Sequence, residues 1–154
     1  MLLRNDGIGP RVPPSQVVPA ISVLIVDDFD PWRRFVADLL TEAGGVYTTS
    51  FASDGVEAVR KAAELRPHII LMDVALPTLS GFEAAGQIRE FVPESKIVFV
   101  TSLSDPEIAR TAFRAGGRGY VLKADAGEQL LKGMEAVLLG RYFLSASLSD
   151  IDNR

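Results

Sequence analysis

Short apolar runs that alternate with helical patterns are the feature that most narrows the fold of this chain. Five runs of strand length occur from residue 21 onward, and apolar residues spaced three and four positions apart follow each of them. Strands that alternate with helices pair in parallel through right-handed crossovers, so helices cover both faces of the sheet. We therefore predict a doubly wound α/β sandwich. The predicted strands are residues 21–26, 46–52, 69–72, 97–100 and 119–122.

Capping residues mark the predicted helix starts. Asp30 before Pro31 predicts an N-cap and a first helical turn, and Trp32 and Phe35 then begin a predicted buried stripe at helical spacing. Pairs with the spacing of a capping box predict the other four starts. These pairs are Asp54 with Glu57, Ser80 with Glu83, Ser104 with Glu107, and Asp125 with Glu128.

The two ends of the chain differ from its middle. Four of the nine prolines fall within residues 1–19 without apolar periodicity beside them, so we predict an extended, disordered arm there. Residues 20–140 carry the alternating pattern and form the predicted domain, and residues 141–154 are a predicted linker or tail. A length of 154 residues with 47% hydrophobic and 23% charged residues suits one globular domain.

Composition excludes several kinds of chemistry. The chain has no cysteine and one histidine, which excludes thiolate zinc sites and multi-histidine metal cages and leaves oxygen atoms as metal ligands. Its formal net charge is −4, which disfavours direct nucleic-acid binding by this chain. Because no apolar run approaches the ~18 residues that span a bilayer and no signal peptide is evident, we expect a cytoplasmic protein without membrane contact.

Polar side chains follow four of the five predicted strands. Asp27 and Asp28 come after the first strand, Asp73 after the third, Thr101 after the fourth and Lys123 after the fifth. Each residue alone also fits a helix cap, a turn or a solvated lysine. Parallel strands, however, bring their carboxyl ends to one edge, where α/β sheets bind ligands. Carboxylates that meet there raise one another's pKa unless a cation offsets the repulsion.

Two positive charges can offset that repulsion, the lysine and a divalent cation. Oxygen ligands suit hard ions, and Mg²⁺ commonly uses one or two carboxylates together with a phosphate group. The sequence therefore favours a Mg²⁺-dependent phosphoryl site. No glycine-rich loop follows the first strand, which reads VDDFDPW, so a nucleotide cofactor at this site is disfavoured.

The fragments around these positions resemble the receiver domains of two-component response regulators. The resemblance covers about residues 20–140 and is carried by LIVDD, LMDVALPTLSG, VFVTS and GYVLK, in the order of the family. The stretch GGRGYVLKADAGEQL is similar to the receivers of NarL/FixJ regulators. The resemblance implies a flavodoxin-like (βα)5 fold with strand order 2-1-3-4-5. It also implies a phosphoacceptor signalling domain rather than an enzyme.

The resemblance implies a role for each acidic residue. Asp73 corresponds to the phosphoacceptor, which takes a phosphoryl group from a sensor histidine kinase or a phosphotransfer domain. Asp27, Asp28 and Asp73 correspond to the carboxylates that hold Mg²⁺, and the backbone carbonyl of Ala75 is the further expected ligand.

The resemblance also implies an output. Thr101 and Lys123 would contact the phosphoryl group, and Thr101 and Tyr120 would form a switch that alters the surface of the fourth helix, fifth strand and fifth helix. That surface would support a homodimer or an output domain. NarL/FixJ regulators usually carry a C-terminal helix-turn-helix domain, so DNA would be bound only through a domain absent from these 154 residues.

Other readings remain open at this stage. A phosphatase with an aspartyl-phosphate intermediate shares the acceptor chemistry, but it needs an acid/base carboxylate where this chain has Ala75. A pseudo-receiver that only binds partners is a third possibility. Tyr120 fits a permanent core residue as well as a switch. Arg110, Arg114 and Arg118 fit a solvated face or a partner interface.

Overall fold

The computed structural model describes residues 20–148, and the predicted arm at 1–19 lies outside that range. A six-stranded sheet runs in the order β2-β1-β3-β4-β5-β6, and every pairing is parallel. The predicted order of the first five strands is confirmed. The elements are β1 (Ile21–Val26), α1 (Asp30–Thr41), β2 (Tyr47–Ala52), α2 (Gly55–Leu65), β3 (Ile69–Met72), α3 (Gly81–Phe91), β4 (Lys96–Thr101), α4 (Pro106–Arg114), β5 (Gly119–Leu122), α5 (Ala126–Leu138) and β6 (Phe143–Leu144).

Each strand contributes alternate side chains to two separate cores. In β1, Leu24 and Val26 face the core under α2, α3 and α4, whereas Val23 and Ile25 face the core under α1 and α5. Both faces of the central strands are covered, so these strands read as continuous apolar runs rather than as alternating ones. Each fully buried Leu or Ile contributes about 1.5–3 kcal/mol of hydrophobic stabilisation.

Two of the predicted helix starts form as expected. The Ser80 side chain accepts a hydrogen bond from the Glu83 backbone N–H, and the Glu83 carboxylate accepts one from the Ser80 N–H, which completes a capping box. Asp54 caps α2 by accepting from the Glu57 N–H at 2.8 Å. Such caps satisfy backbone donors that the first helical turn leaves unpaired, and each is typically worth about 1 kcal/mol.

The other predicted starts were wrong in detail. Phe29, not Asp30, is the N-cap of α1, and Asp30 lies in the first turn. The cap of α4 is Asp105 instead of Ser104, since the Asp105 carboxylate accepts from the Glu107 N–H at 2.9 Å. Asp125 makes no side-chain cap for α5. Asp125 does occupy the N-cap position of α5, but Ser145 and Ser147 donate to its carboxylate. The Asp30 carboxylate pairs with Arg33 and Arg34.

Residues 141–148 pack on the domain, although a linker or tail was predicted from residue 141. Phe143 and Leu144 pair with β5 as β6, and the Ser145 N–H donates to the Tyr120 carbonyl at 2.8 Å. The Ser145 and Ser147 hydroxyls donate to Asp125, whose carboxylate is thereby occupied. The sheet therefore extends beyond the predicted boundary at residue 140, and β5 is not an edge strand.

The helix stripes hold one further correction. Phe35 was predicted to be buried on α1 but is 43% exposed, whereas Val36 and Leu40 provide the buried contacts. Phe113 of α4 is partly buried against the core, as predicted. Among the described residues, no helix is both long enough and apolar enough to cross a membrane.

Candidate functional site

Three carboxylates meet at the carboxyl ends of the central strands. β1 and β3 pair in parallel with Val26 opposite Met72, so the next residues along each strand, Asp27 and Asp73, emerge side by side. Asp28 follows directly. Carboxylate oxygens of the three residues lie within 4.8 Å of one another, a grouping that can hold a metal ion. Strand register thus brings together residues that are 45 or more positions apart.

Lys123 reaches this group from the end of β5. Its Nζ atom lies 2.7 Å from Asp27 Oδ2 and 3.3 Å from Asp73 Oδ2. One ammonium group therefore bridges the two buried carboxylates. We call Asp27, Asp28, Asp73 and Lys123 together the acidic site.

Burial sets the electrostatics of Asp27, which is 1% exposed. Its Oδ1 accepts a hydrogen bond from the Phe29 N–H at 2.9 Å, and within residues 20–148 the Oδ2 atom has only the ion-pair contact with Lys123. Burial, with the charge of Asp73, raises the pKa of Asp27 despite the opposing effects of Lys123 and the Phe29 N–H. Burial therefore makes the charged form of this carboxylate less favourable than it is in water.

Lys123 responds in the opposite direction. Burial lowers the pKa of its ammonium group, but the close contact with Asp27 and the charge of Asp73 outweigh that effect and raise the pKa above its ordinary value. The side chain consequently stays protonated. It carries a fixed positive charge beside Asp73, where a phosphoryl group would need one.

The chemistry of these ligands fits Mg²⁺. The group holds three carboxylates, and its one lysine contacts two of them, Asp27 and Asp73, so negative charge is left over for a cation that prefers oxygen ligands. Asp28 is exposed, which gives an ion access from solvent. Ala75, whose carbonyl was the further expected ligand, is exposed in the loop two residues after Asp73.

Asp73 is oriented by two hydrogen-bond donors and stays partly accessible to solvent. It is 8% exposed, its Oδ1 accepts from the Val74 N–H at 2.7 Å, and its Oδ2 accepts from Lys123. These two donors fix the orientation of the carboxylate at the sheet edge. A carboxylate held in this way can serve as a nucleophile toward phosphorus when nearby cations offset the charge of the incoming group.

Thr101 and Tyr120 contact the same loop residue. The Thr101 Oγ1 accepts a hydrogen bond from the Leu103 N–H at 3.4 Å, and the Tyr120 hydroxyl donates to the Leu103 carbonyl at 2.7 Å. Both side chains are buried. Burial, with the charges of Asp73 and Asp105, raises the pKa of Tyr120 to about 12. Thr101 and Tyr120 are therefore linked through hydrogen bonds to the backbone of Leu103.

Sequence reasoning missed two residues at the acidic site. Trp32 packs against the core as predicted, but Lys123 Nζ also lies 5.0 Å from the centroid of its ring, a cation–π contact. Arg33 donates from Nη1 to the Asp27 carbonyl and from Nη2 to Asp30. Their positions one turn into α1 are the only sequence signal, and many helical residues share that signal.

Comparison with known families agrees with this geometry. Residues 23–135 match the family described as the response regulator receiver domain. The chain therefore belongs to the receiver domains of two-component response regulators, as the motifs had implied.

Curated relatives support the same assignment. Response regulator GacA of Pseudomonas protegens is 30% identical over 129 residues, which are 84% of this chain and 61% of the relative. Oxygen regulatory protein NreC of Staphylococcus aureus is 32% identical over 130 residues, which are 84% of this chain and 60% of the relative. The chain thus spans about three fifths of the length of these relatives.

Solved structures share the fold. A LuxR-family two-component response regulator from Aurantimonas sp. superposes with a TM-score of 0.80 at 32% identity, over 85% of this chain and 94% of that one. The response regulator domain of Thermotoga maritima CheB gives a TM-score of 0.70 at 30% identity, over 75% of this chain and 94% of that one. The predicted flavodoxin-like architecture is confirmed, with β6 added.

Proposed function

We propose that Asp73 is the phosphoacceptor of this receiver domain and that its donor is a phosphohistidine on a sensor histidine kinase or a phosphotransfer domain. The observation that carries the proposal is the Lys123 ammonium group, which lies 2.7 Å from Asp27 and 3.3 Å from Asp73. A buried aspartate beside a fixed cation, at the ligand-binding edge of the sheet, suits phosphoryl transfer.

In the proposed reaction, an Asp73 oxygen attacks phosphorus as the phosphorus–nitrogen bond to histidine breaks. The electron pair of that bond goes to the imidazole, which recovers a proton from solvent. Lys123 faces the phosphoryl oxygens and offsets their charge. The Thr101 hydroxyl proton has no acceptor among residues 20–148, and it is therefore available for a phosphoryl oxygen.

Asp27, Asp28 and Asp73, with the Ala75 carbonyl, are the proposed Mg²⁺ ligands. When bound, Mg²⁺ supplies positive charge that stabilises the phosphoryl oxygens. Asp27 is held for this role by the Phe29 N–H and by Lys123, and Arg33 fixes the backbone at the same residue. Substitution of Asp27 therefore removes a ligand that is already oriented.

Leu103 is the proposed link between phosphorylation and output. If the Thr101 hydroxyl turns toward a phosphoryl group on Asp73, the Leu103 N–H loses or lengthens its bond to Thr101, and the Tyr120 bond to the Leu103 carbonyl is disturbed with it. A charge change at the acidic site thereby reaches β5 and the loop before α4. The proposed output surface comprises α4, β5 and α5, now with β6 beside β5.

The proposed output is transcriptional. The chain resembles a LuxR-family regulator in structure and spans about three fifths of the curated regulators that it matches. We infer that the switched surface controls a homodimer or a DNA-binding domain beyond these residues. The acidic balance of the chain disfavours DNA binding by the receiver alone.

Acetyl phosphate with Mg²⁺ tests the acceptor. We expect intact-mass spectrometry to show one added phosphoryl group on the wild-type chain and none on Asp73→Asn, because the amide is not a competent nucleophile. The control is Asp38→Asn, which changes an exposed α1 carboxylate outside the acidic site and should phosphorylate like wild type. Equal labelling of wild type and Asp73→Asn would contradict the proposal.

The same protein separates the two alternatives. A phosphatase would release inorganic phosphate from a phosphomonoester through many rapid turnovers, whereas a receiver releases only what its own aspartyl phosphate loses. A pseudo-receiver would neither bind Mg²⁺ nor accept phosphate. Tryptophan fluorescence is a suitable binding signal, since Trp32 is the one tryptophan and contacts Lys123.

A further inference from the structure

A group of cations lies at the end of the sheet opposite the acidic site. Lys96 begins β4 and Arg118 directly precedes β5, so both lie at the amino ends of their strands. Arg89 lies near the end of α3, and Arg114 ends α4. These four residues line one cavity of about 250 Å³. We call it the basic cavity.

The four cations have no acidic partner among residues 20–148. Residues 20–148 contain 13 Arg and Lys side chains, and seven of these form ion pairs within that range. Four of the remaining six line the basic cavity. Like charges on one concave surface repel, so a bound anion lowers their electrostatic free energy. The chain carries a net charge of −4, so the positive charge at this cavity is a local feature and not a property of the whole surface.

The wall of the cavity holds Arg89 in position. Its Nη1 donates to the Ala115 carbonyl at 3.1 Å, at the end of α4. Gly116 has a φ of 104°, and a Cβ atom there would come within 2.2 Å of Arg89 Cδ. A side chain at residue 116 would therefore both strain the backbone and displace the arginine. The glycine leaves room for a guanidinium group that still has donors for a ligand.

Aromatic rings stand at the mouth of the cavity. Tyr142 is 67% exposed, the Arg118 guanidinium lies 5.5 Å from its ring centroid, and Phe113 meets it edge-on at 6.0 Å. Both rings line the cavity with the cations. An exposed ring steadied by two neighbours provides a flat surface on which a nucleobase can stack.

We propose that the basic cavity binds a nucleotide that carries two or more phosphate groups. Guanidinium groups of Arg89, Arg114 and Arg118 offer forked donors to phosphate oxygens, and Lys96 adds a point charge. Tyr142 takes the base. Glu90 lines an adjoining cleft with Arg89 and Arg118 but not the cavity itself, so phosphates in the cavity meet no lining carboxylate.

The concave shape favours a small anion over a DNA duplex. The cavity holds its four cations on one concave surface of about 250 Å³, a volume that admits phosphate groups but not a duplex. Lys96 is the first residue of β4, which ends in Thr101, and Arg118 directly precedes β5, which leads into Lys123. The site is nonetheless separate from the acidic site, so its occupancy is testable without phosphorylation.

Calorimetric titration of the full chain with ATP, ADP, adenosine and pyrophosphate tests the proposal. The buffer contains a chelator instead of Mg²⁺, which removes the acidic site from the measurement. We expect ATP and ADP to bind and Arg114→Ala/Arg118→Ala to raise their Kd by about tenfold or more, because charge-assisted hydrogen bonds are lost. The control Lys132→Ala removes an exposed cation that lies outside the cavity and has no ion pair within the described part of the chain, and it should leave Kd within about twofold.

Tyr142→Ala tests the base contact. It should weaken ATP but leave pyrophosphate unchanged, and Asp73→Asn should bind ATP like wild type even if Asp73 proves not to be the phosphoacceptor. Pyrophosphate binding as tight as ATP, unaffected by Tyr142→Ala, would overturn the nucleotide assignment. Absence of ATP binding, with duplex DNA bound and lost in the double-arginine variant, would overturn it in favour of a nucleic-acid face. Absence of binding by every probe would also overturn it.

Discussion

The two ends of the sheet carry opposite charge, and they differ in how far that charge is buried and paired. At the carboxyl ends of the strands, Asp27 and Asp73 are buried and share Lys123. At the amino ends, the cations of the basic cavity are more exposed and have no acidic partner within residues 20–148. Charges that compensate one another internally contribute to folding, whereas charges left to solvent are available to ligands. The stability effects of substitution should therefore differ sharply between the two ends.

The largest effect is expected at the acidic site. Lys123→Met leaves the Asp27 carboxylate buried without its partner, and this should lower the free energy of unfolding by about 3 kcal/mol in Mg²⁺-free buffer at neutral pH. Urea denaturation measures the change. The matched control is Asp27→Asn/Lys123→Met, which buries no unpaired charge and should regain part of the loss. A single variant as stable as wild type would remove the contrast between the two ends.

The second-largest loss of stability is expected from substitution in residues 141–148, which pack on the domain. Ser145 is fully buried, and its Oγ accepts from the Leu122 N–H at 3.2 Å and donates to Asp125. Ser145→Ala should cost about 2 kcal/mol in urea denaturation, since it leaves a buried backbone donor unpaired. Ser147→Ala, which removes one exposed bond to the same Asp125, should cost clearly less. Similar losses for both variants would contradict the proposed importance of burial.

Tyr120 provides a pH-dependent test of the same idea. Tyr120→Phe removes the bond to the Leu103 carbonyl and should cost about 1 kcal/mol near neutral pH. The folded-state pKa of about 12 exceeds the ordinary value of 10.0, so the unfolded chain loses this proton first. The stability that depends on the proton is complete below pH 10 and declines as pH rises toward 12.

Urea denaturation across this alkaline range measures the decline. Wild type should lose more stability than Tyr120→Phe over the same interval, because the other two tyrosines are present in both proteins. Parallel losses in the two proteins would mean that Tyr120 titrates like an exposed tyrosine.

The smallest effect is expected in the basic cavity. Arg114 is exposed and has no ion pair within the described range, so Arg114→Ala should change the free energy of unfolding by less than about 0.5 kcal/mol. The same variant should weaken nucleotide binding if the proposal for the cavity is correct. A loss of several kcal/mol in urea denaturation would instead show that the arginine stabilises the fold. The two ends of the sheet would then not differ in their contribution to stability.

Much of the acidic site was predictable from the chain alone. Asp27, Asp73 and Lys123 each follow a recognisable apolar run, and parallel strands necessarily align such ends. Strands β1, β3 and β5 also match their predicted bounds. Short-range patterns suffice here because a buried parallel strand requires a continuous run of apolar side chains.

Other features had no local signal. β6 is two residues long, which is too short for any period, and its formation depends on the exposed edge that β5 would otherwise present. Asp125 had capping-box spacing with Glu128, yet two serines 20 or more residues away occupy its carboxylate. Trp32 contacts Lys123 because the lysine side chain extends from the end of β5 to Asp27 at the end of β1, near the start of α1, and no pattern within the helix indicates this.

The order of apolar runs and polar residues in this chain determined the layered sheet and the edge at which Asp73 emerges, because both follow from repeats of a few residues. Tertiary structure alone determines which charged side chains form ion pairs. Lys123 pairs with carboxylates 50 and 96 positions away. The cations of the basic cavity converge without a carboxylate partner from residues 20–148. Electrostatic compensation depends on distances of a few ångströms between remote segments, and only the packed molecule sets those distances.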